Sequence, residues 1–189
     1  MSMLVAALAL FALAHLVPVI PPAKSMALSM LGRAYGPVYG VLSLLLLVLV
    51  FVALRAAPTA YVYSPPAWGR HANFLLTLLA FFCFGIFAFR GSLRNRLKYP
   101  VAIGVTLWAI GHLLANGDAR SIVFFAGFWG IAIVQVLLSL RLRAWKPSEV
   151  RAGHDGLSLL FGAAFYGVAV QLHSVFAGVP VIDISVFQS

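Results

Sequence analysis

The chain has 189 residues, 63% of them hydrophobic and only 9% charged, with a formal net charge of +9 and a mean hydropathy of +1.03. Soluble domains are nearer about 45–50% apolar and about 25% charged, so the composition excludes an ordinary water-soluble globule and indicates a polytopic membrane protein. The positive charge does not describe a nucleic-acid surface, because Lys and Arg lie between apolar runs and form no single stripe.

A helix needs about 20 apolar residues to cross hydrocarbon. On that measure the chain reads as one all-α transmembrane domain over 1–189, with about six spans. The first, 3–20, has no positive n-region and no small-residue cleavage site, so it is expected to be retained. It is expected to stop at Pro18, Pro21 and Pro22. The segment 23–33, AKSMALSMLGR, reads as a short amphipathic piece at the interface. Span two covers 37–55. The long loop after it carries Tyr61, Tyr63 and Trp68, which suit a headgroup-level aromatic belt. Span three covers 71–89, and a basic loop leads to span four, 100–116, which starts on Pro100. Gly117 is expected as a helix C-cap and Asp118 as the N-cap of span five, 119–140. A second basic loop precedes span six, 157–178.

Basic residues set the expected orientation. Loops one, three and five hold ten of them: Lys24, Arg33, Arg90, Arg94, Arg96, Lys98, Arg141, Arg143, Lys146 and Arg151. The opposite side holds only Arg55, Arg70 and Arg120. Odd loops in the cytoplasm and both termini outside follow from the positive-inside rule.

Ionisable side chains at membrane depth are costly and face a bundle interior or a cavity, so each one is a candidate site. His154 lies in a basic loop beside Asp155 and is expected to be unremarkable, whereas His15, His71, His112 and His173 lie in or at the ends of four spans. A rise of about 1.5 Å per residue puts His112 and His173 each about 7 Å below the outer face, with His71 at that face and His15 deeper. Gly104, Trp108, His112 and Asn116 recur every fourth residue on span four. Gly162, Tyr166, Ala169 and His173 form a matching stripe on span six. A single such histidine is usually interhelical glue. Four on separate helices point instead to haem b held between imidazoles, walled by some of the fifteen phenylalanines. Arg70, Arg55 or Arg120 would then meet the propionates.

Other chemistry has little support. Asp118, Glu149, Asp155 and Asp183 are the only acidic residues, which leaves no intramembrane carboxylate pair for proton coupling or a di-metal site. No nucleophile elbow, phosphate-binding glycine loop or zincin motif occurs. Cys83 is the only cysteine, so no intrachain disulfide can form; it reads as a small apolar packing residue, with a thiolate ligand as the lesser alternative.

The stretch 97–128, with LWAIGHLLANGD at its centre, resembles the NnrU family of bacterial inner-membrane proteins. His15 late in the first span, PPAWGRH before the third and LHSVFAGVPV near the C-terminus extend the resemblance over nearly the whole chain. The resemblance implies a multi-pass protein associated with denitrification and nitric oxide metabolism. It also implies kinship with 15-cis-zeta-carotene isomerase, a haem b membrane enzyme with histidine ligation. Motif position carries iron ligation over to His15 and His112, whereas depth groups His112 with His173 and His71. Lys98-Tyr99-Pro100 departs from the basic-His-Pro common in the family at that point. The same string gives a weak likeness to membrane methyltransferases, whose His and C-terminal charged tail are missing here.

The leading expectation is a haem-dependent, isomerase-like membrane protein acting on a hydrophobic small molecule. In it His112 and either His15 or His173 ligate iron, Trp108 walls the pocket, and His71 and Arg70 face propionates or substrate. The rival is a non-enzymatic accessory or assembly protein for a membrane partner, with structural histidines. Lipid is a partner in either case.

Overall fold

The computed structural model describes residues 1–178 and residue 181; Asp183 and the remainder of the C-terminal VPV motif lie outside the described residues. The fold is all-α. Its helices are α1 (Ser2–Leu16), α2 (Pro21–Leu31), α3 (Tyr35–Ala56), α4 (Gly69–Ala88), α5 (Ser92–Leu97), α6 (Pro100–Ala115), α7 (Ala119–Arg141) and α8 (His154–Ala177). Among the described residues four helical stretches are long and apolar enough to cross a membrane: Pro21–Ala56, Gly69–Ala88, Ala119–Arg141 and His154–Ala177. Two further apolar helices, α1 and α6, are shorter, at 15 and 16 residues. Their lengths of roughly 22–24 Å fall below a typical hydrocarbon thickness of about 30 Å.

Two boundaries differ from the expected ones. α1 ends at Leu16, and Val17–Ile20 turn before Pro21 opens α2 from its first position. Pro21 and Pro22 therefore start the second helix, where a missing N–H costs nothing, while Pro18 follows directly on the end of the first as expected. α2 is also not a detached piece. Gly32, at φ +51°, and a 3-10 turn over Gly32–Ala34 lead directly into α3, giving one helical stretch of 36 residues. Only glycine enters that backbone region without strain. No residue of α2 is buried, so it lies away from the bundle.

The helix pairs form a chain of neighbours. α3 packs on α1, α1 on α7, α7 on α6, α6 on α4 and α4 on α8, with the α4–α6 seam the most extensive. α3 and α8 touch more lightly near their C-terminal ends, where Phe51 meets Phe176 and Arg55 bonds the Val175 carbonyl. The sequence explains the tight seams. Leu4, Ala7, Leu8 and Phe11 are the buried residues of α1, spaced 3, 1 and 3 apart, which is one helical face. That face joins Val50 and Ala53 of α3, Ala109 of α6, and Phe124, Phe125 and Phe128 of α7 in the main core. Lipid is as apolar as leucine, so close packing and dispersion, rather than water exclusion, hold such a core together.

Glycines let backbones touch. A Cβ on Gly85 would fall 2.1 Å from the Ser158 carbonyl oxygen, and one on Gly162 2.7 Å from that of Phe81. These two positions fix α4 against α8. On the outside, side chains such as Met30, Leu44, Leu45, Leu160 and Val175 are 60% exposed or more. An apolar surface of that extent is suited to lipid contact.

Candidate functional site

The end of the bundle that carries His112 is closed by the loop between α3 and α4. Val62 and Tyr63 both donate backbone N–H groups to the Gly117 carbonyl, at 2.9 and 3.1 Å, and Ala119 N–H donates to Ala60 O at 2.7 Å. The Tyr63 hydroxyl donates to the carbonyls of Leu113 and Asn116, the latter at 3.0 Å. Gly117 is thus not the C-cap of α6. Asn116 is the C-cap, in extended conformation, and a Cβ at 117 would lie 1.8 Å from the Tyr63 carbonyl oxygen. Glycine sits there because the loop backbone comes so close. Asp118 does cap α7, accepting from Ser121 N–H at 3.1 Å and Ser121 Oγ–H at 2.6 Å.

His112 is 8% exposed. Its Nδ1 lies 2.8 Å from the Trp108 carbonyl oxygen, so Nδ1 carries the proton and donates, which leaves the Nε2 lone pair uncommitted in the neutral ring. The imidazole stacks on Phe125, centroids 4.4 Å apart and 22° from parallel. Trp108 is ringed by Phe124, Phe125 and Phe128 at 5.7, 4.9 and 5.6 Å. The expected stripe on α6 is therefore shared between two neighbours: Trp108 and His112 turn to α7, while Gly104 and Gly111 receive α4.

His173, on α8, is within electrostatic reach of His112. Phe51 links the neighbouring helices, contacting Phe124 beside Trp108 at 5.6 Å and Phe176 of α8 at 5.9 Å.

His15 is elsewhere. Its ring has the same back-bonded form, Nδ1 lying 2.8 Å from Phe11 O, and it stacks on Phe11 at 3.8 Å. Its carbonyl, however, accepts from Gln135 Nε2 at 2.9 Å, ten residues along α7 from the Phe125 that covers His112. That register is roughly 15 Å of helix. Phe11, Phe128 and Trp108 stand in sequence between the two rings. The structure does not bring the rings of His15 and His112 into contact. His71 is exposed near the start of α4. His154 accepts from Arg90 N–H at 3.1 Å and packs edge-on to Phe89, a joint between loop and helix.

The three arginines at this end are all engaged. Arg55 donates to Val175 O at 3.1 Å and Arg70 to Val181 O at 2.8 Å, while Arg120 lies 3.6 Å from Asp118. Arg55 holds the C-terminal end of α8, where a cation also suits the helix dipole, and Arg70 holds Val181 beyond it. Sequence reasoning offered them to a cofactor and missed this bracing of the element that carries His173. It also missed Asn73 and Thr77, which bond each other at 2.9 Å on α4; a Cβ on Gly111 would fall 2.7 Å from Asn73 Oδ1. Two polar residues four apart in an apolar helix were the available signal.

Among the described residues, no group of three or more His, Cys, Asp or Glu side chains is placed to hold a metal ion. Cys83 is a buried free thiol on α4. The chemistry of the donor suits an imidazole-ligated cofactor, with His112 offering Nε2 inside the walls of Trp108 and Phe125.

Apolar helices long enough to span a bilayer, with an imidazole buried between them, define a multi-pass α-helical membrane protein. Neither the curated proteins nor the solved structures gave a match. A family model described as NnrU protein does match, over residues 3–181, and the chain belongs to the NnrU family.

Proposed function

We propose that the histidine site is a haem b site, which His112, through Nε2, and His173 would hold. The observation that supports this most is the His112 Nδ1 bond to Trp108 O, which fixes the ring and its tautomer and leaves a lone pair in an apolar surrounding. Bound there, haem would supply one-electron chemistry to a hydrophobic substrate. The chain's own residues would hold and shield it: Trp108, Phe124 and Phe125 exclude water, and Arg70 or Arg55 offers a cation at the rim. On this reading the protein is an isomerase-like enzyme of the bacterial inner membrane linked to nitrogen-oxide metabolism, the setting its family suggests. It crosses six times, with the basic loops in the cytoplasm and both termini outside.

The test is an absorption spectrum of protein expressed with haem supply. A Soret band should be present, be lost in His112→Ala and survive in His15→Ala. No Soret band in the unaltered protein refutes the proposal.

A second reading, the non-enzymatic accessory protein, is favoured by one observation. His112 Nδ1 is bonded to Trp108 O and the ring is stacked on Phe125, as a structural imidazole would be. Under it, His112→Ala lowers stability or partner binding in a protein that never shows a haem band.

A further inference from the structure

An apolar cleft of about 360 Å³ lies between the N-terminal half of α6 and the C-terminal half of α7, at the opposite end of the bundle from His112. Leu97, Tyr99, Ile103, Thr106, Ile133 and Leu137 are among its lining residues, and none of the histidines is. Tyr99 and Ser139 bond at 3.3 Å near its mouth.

The mouth is basic. Lys98 stands between the lining residues Leu97 and Tyr99, and Arg141 is one helical turn beyond Leu137, hence on the same face of α7. Arg143 follows. Lys98 Nζ lies 5.7 Å above the ring of Trp145, whose loop is fixed by Asn95 bonding Ser148 through its side chain at 2.8 and 2.9 Å. Lys98 and Arg143 have the only positive φ angles of non-glycine residues in the described chain, 60° and 50°. Such backbone is strained for a side chain and persists where surroundings impose it, often beside a ligand. No acidic side chain lies in the sequence between Lys98 and Arg143 except Asp118, which caps the far end of α7.

We propose that this cleft is a retained binding site for one anionic phospholipid. An acyl chain lies in the cleft, and the phosphate sits at headgroup level among Lys98, Arg141 and Arg143, beside Tyr99 and Trp145. An apolar slot alone would take any lipid; the charges at its mouth select an anionic one. The proposal is independent of the haem reading.

Reconstitution in nanodiscs of phosphatidylglycerol and phosphatidylcholine, followed by mild extraction and mass spectrometry of co-purified lipid, tests it. The protein should retain phosphatidylglycerol well above its bulk ratio. Removing a basic residue near a membrane surface should lower that enrichment about fivefold per charge. Lys98→Gln with Arg141→Gln should therefore largely abolish it, while Lys24→Gln with Arg33→Gln should leave it unchanged. Thr106→Phe, which fills the cleft without touching charge, should lower the retained amount of both lipids. A bulk-like ratio in the unaltered protein, enrichment that survives the Lys98/Arg141 change, or a dimer dissociated by Thr106→Phe would each overturn the proposal.

Discussion

Two glycines five residues apart on α8 should respond to the same substitution with opposite sign. At Gly162 an added methyl would meet the Phe81 carbonyl oxygen at 2.7 Å, the Phe82 Cα at 2.9 Å and the Phe81 carbonyl carbon at 3.1 Å. All three are α4 backbone atoms, so no rotamer can relieve the clash. The helices must separate by the better part of an ångström, and a gap of 0.5–1 Å forfeits roughly a quarter to a half of each dispersion contact it opens. Overpacking of this kind costs about 1–3 kcal/mol, and the Gly85–Ser158 contact on the same seam, equally backbone-limited, puts Gly162→Ala near the upper end at about 3 kcal/mol. At Gly167 nothing lies within 4 Å. There alanine should be neutral or stabilise the helix, by up to about 1 kcal/mol. Equilibrium unfolding in mixed detergent micelles reads both values on the same protein. Equal effects of the two substitutions, or a Gly162→Ala protein within about 0.5 kcal/mol of the parent, would refute the claim that backbone contact of α4 and α8 fixes this seam. Because His173 lies further along α8, Gly162→Ala should also broaden or shift any haem band that His112 supports.

The remaining expectations concern the opposite end and the overall orientation. Asp155 accepts hydrogen bonds from Ser92 N–H, Ser92 Oγ–H and Leu93 N–H, at 3.1, 2.5 and 3.0 Å, so the first turn of α8 anchors the start of α5. Asp155→Ala should free the 90–98 loop, seen as faster tryptic cleavage at Arg94 and Arg96 with α4 and α8 still helical; an unchanged digest would show that the tether is dispensable. For orientation, a cysteine at Thr59 in a Cys83→Ala background should react with a membrane-impermeant maleimide on intact cells, and one at Ser148 should not. The reverse pattern would invert the topology read from the basic loops.

Much of the helical layout was legible in the sequence, because hydropathy and caps act locally. Apolar runs, Pro100 at a first helical position and Asp118 as a cap placed α6 and α7 within a residue or so. The misreadings were of residues whose role depends on a distant partner. Pro21 reads locally as a stop after one helix but opens the next. Gly117 reads locally as a C-cap, whereas its requirement comes from the backbone of Tyr63, more than fifty residues earlier.

For the candidate site the division is similar. The sequence by itself determined that imidazoles lie within apolar helices, because hydropathy acts locally and position along a helix follows from its rise. Only the tertiary structure decided which helices are neighbours. α1 runs beside α7 in a register that carries His15 to Gln135, away from His112, and inserts Phe11 and Phe128 between them. α4 takes the glycine positions of α6 and leaves Trp108 and His112 to the phenylalanines of α7. Arg55 and Arg70, unassignable from local pattern, brace the end of α8 and Val181 beyond it. The physical reason is that hydropathy tells a helix it is in lipid but not which face meets which neighbour. That choice is made by small residues allowing backbone contact and by aromatic side chains filling what remains.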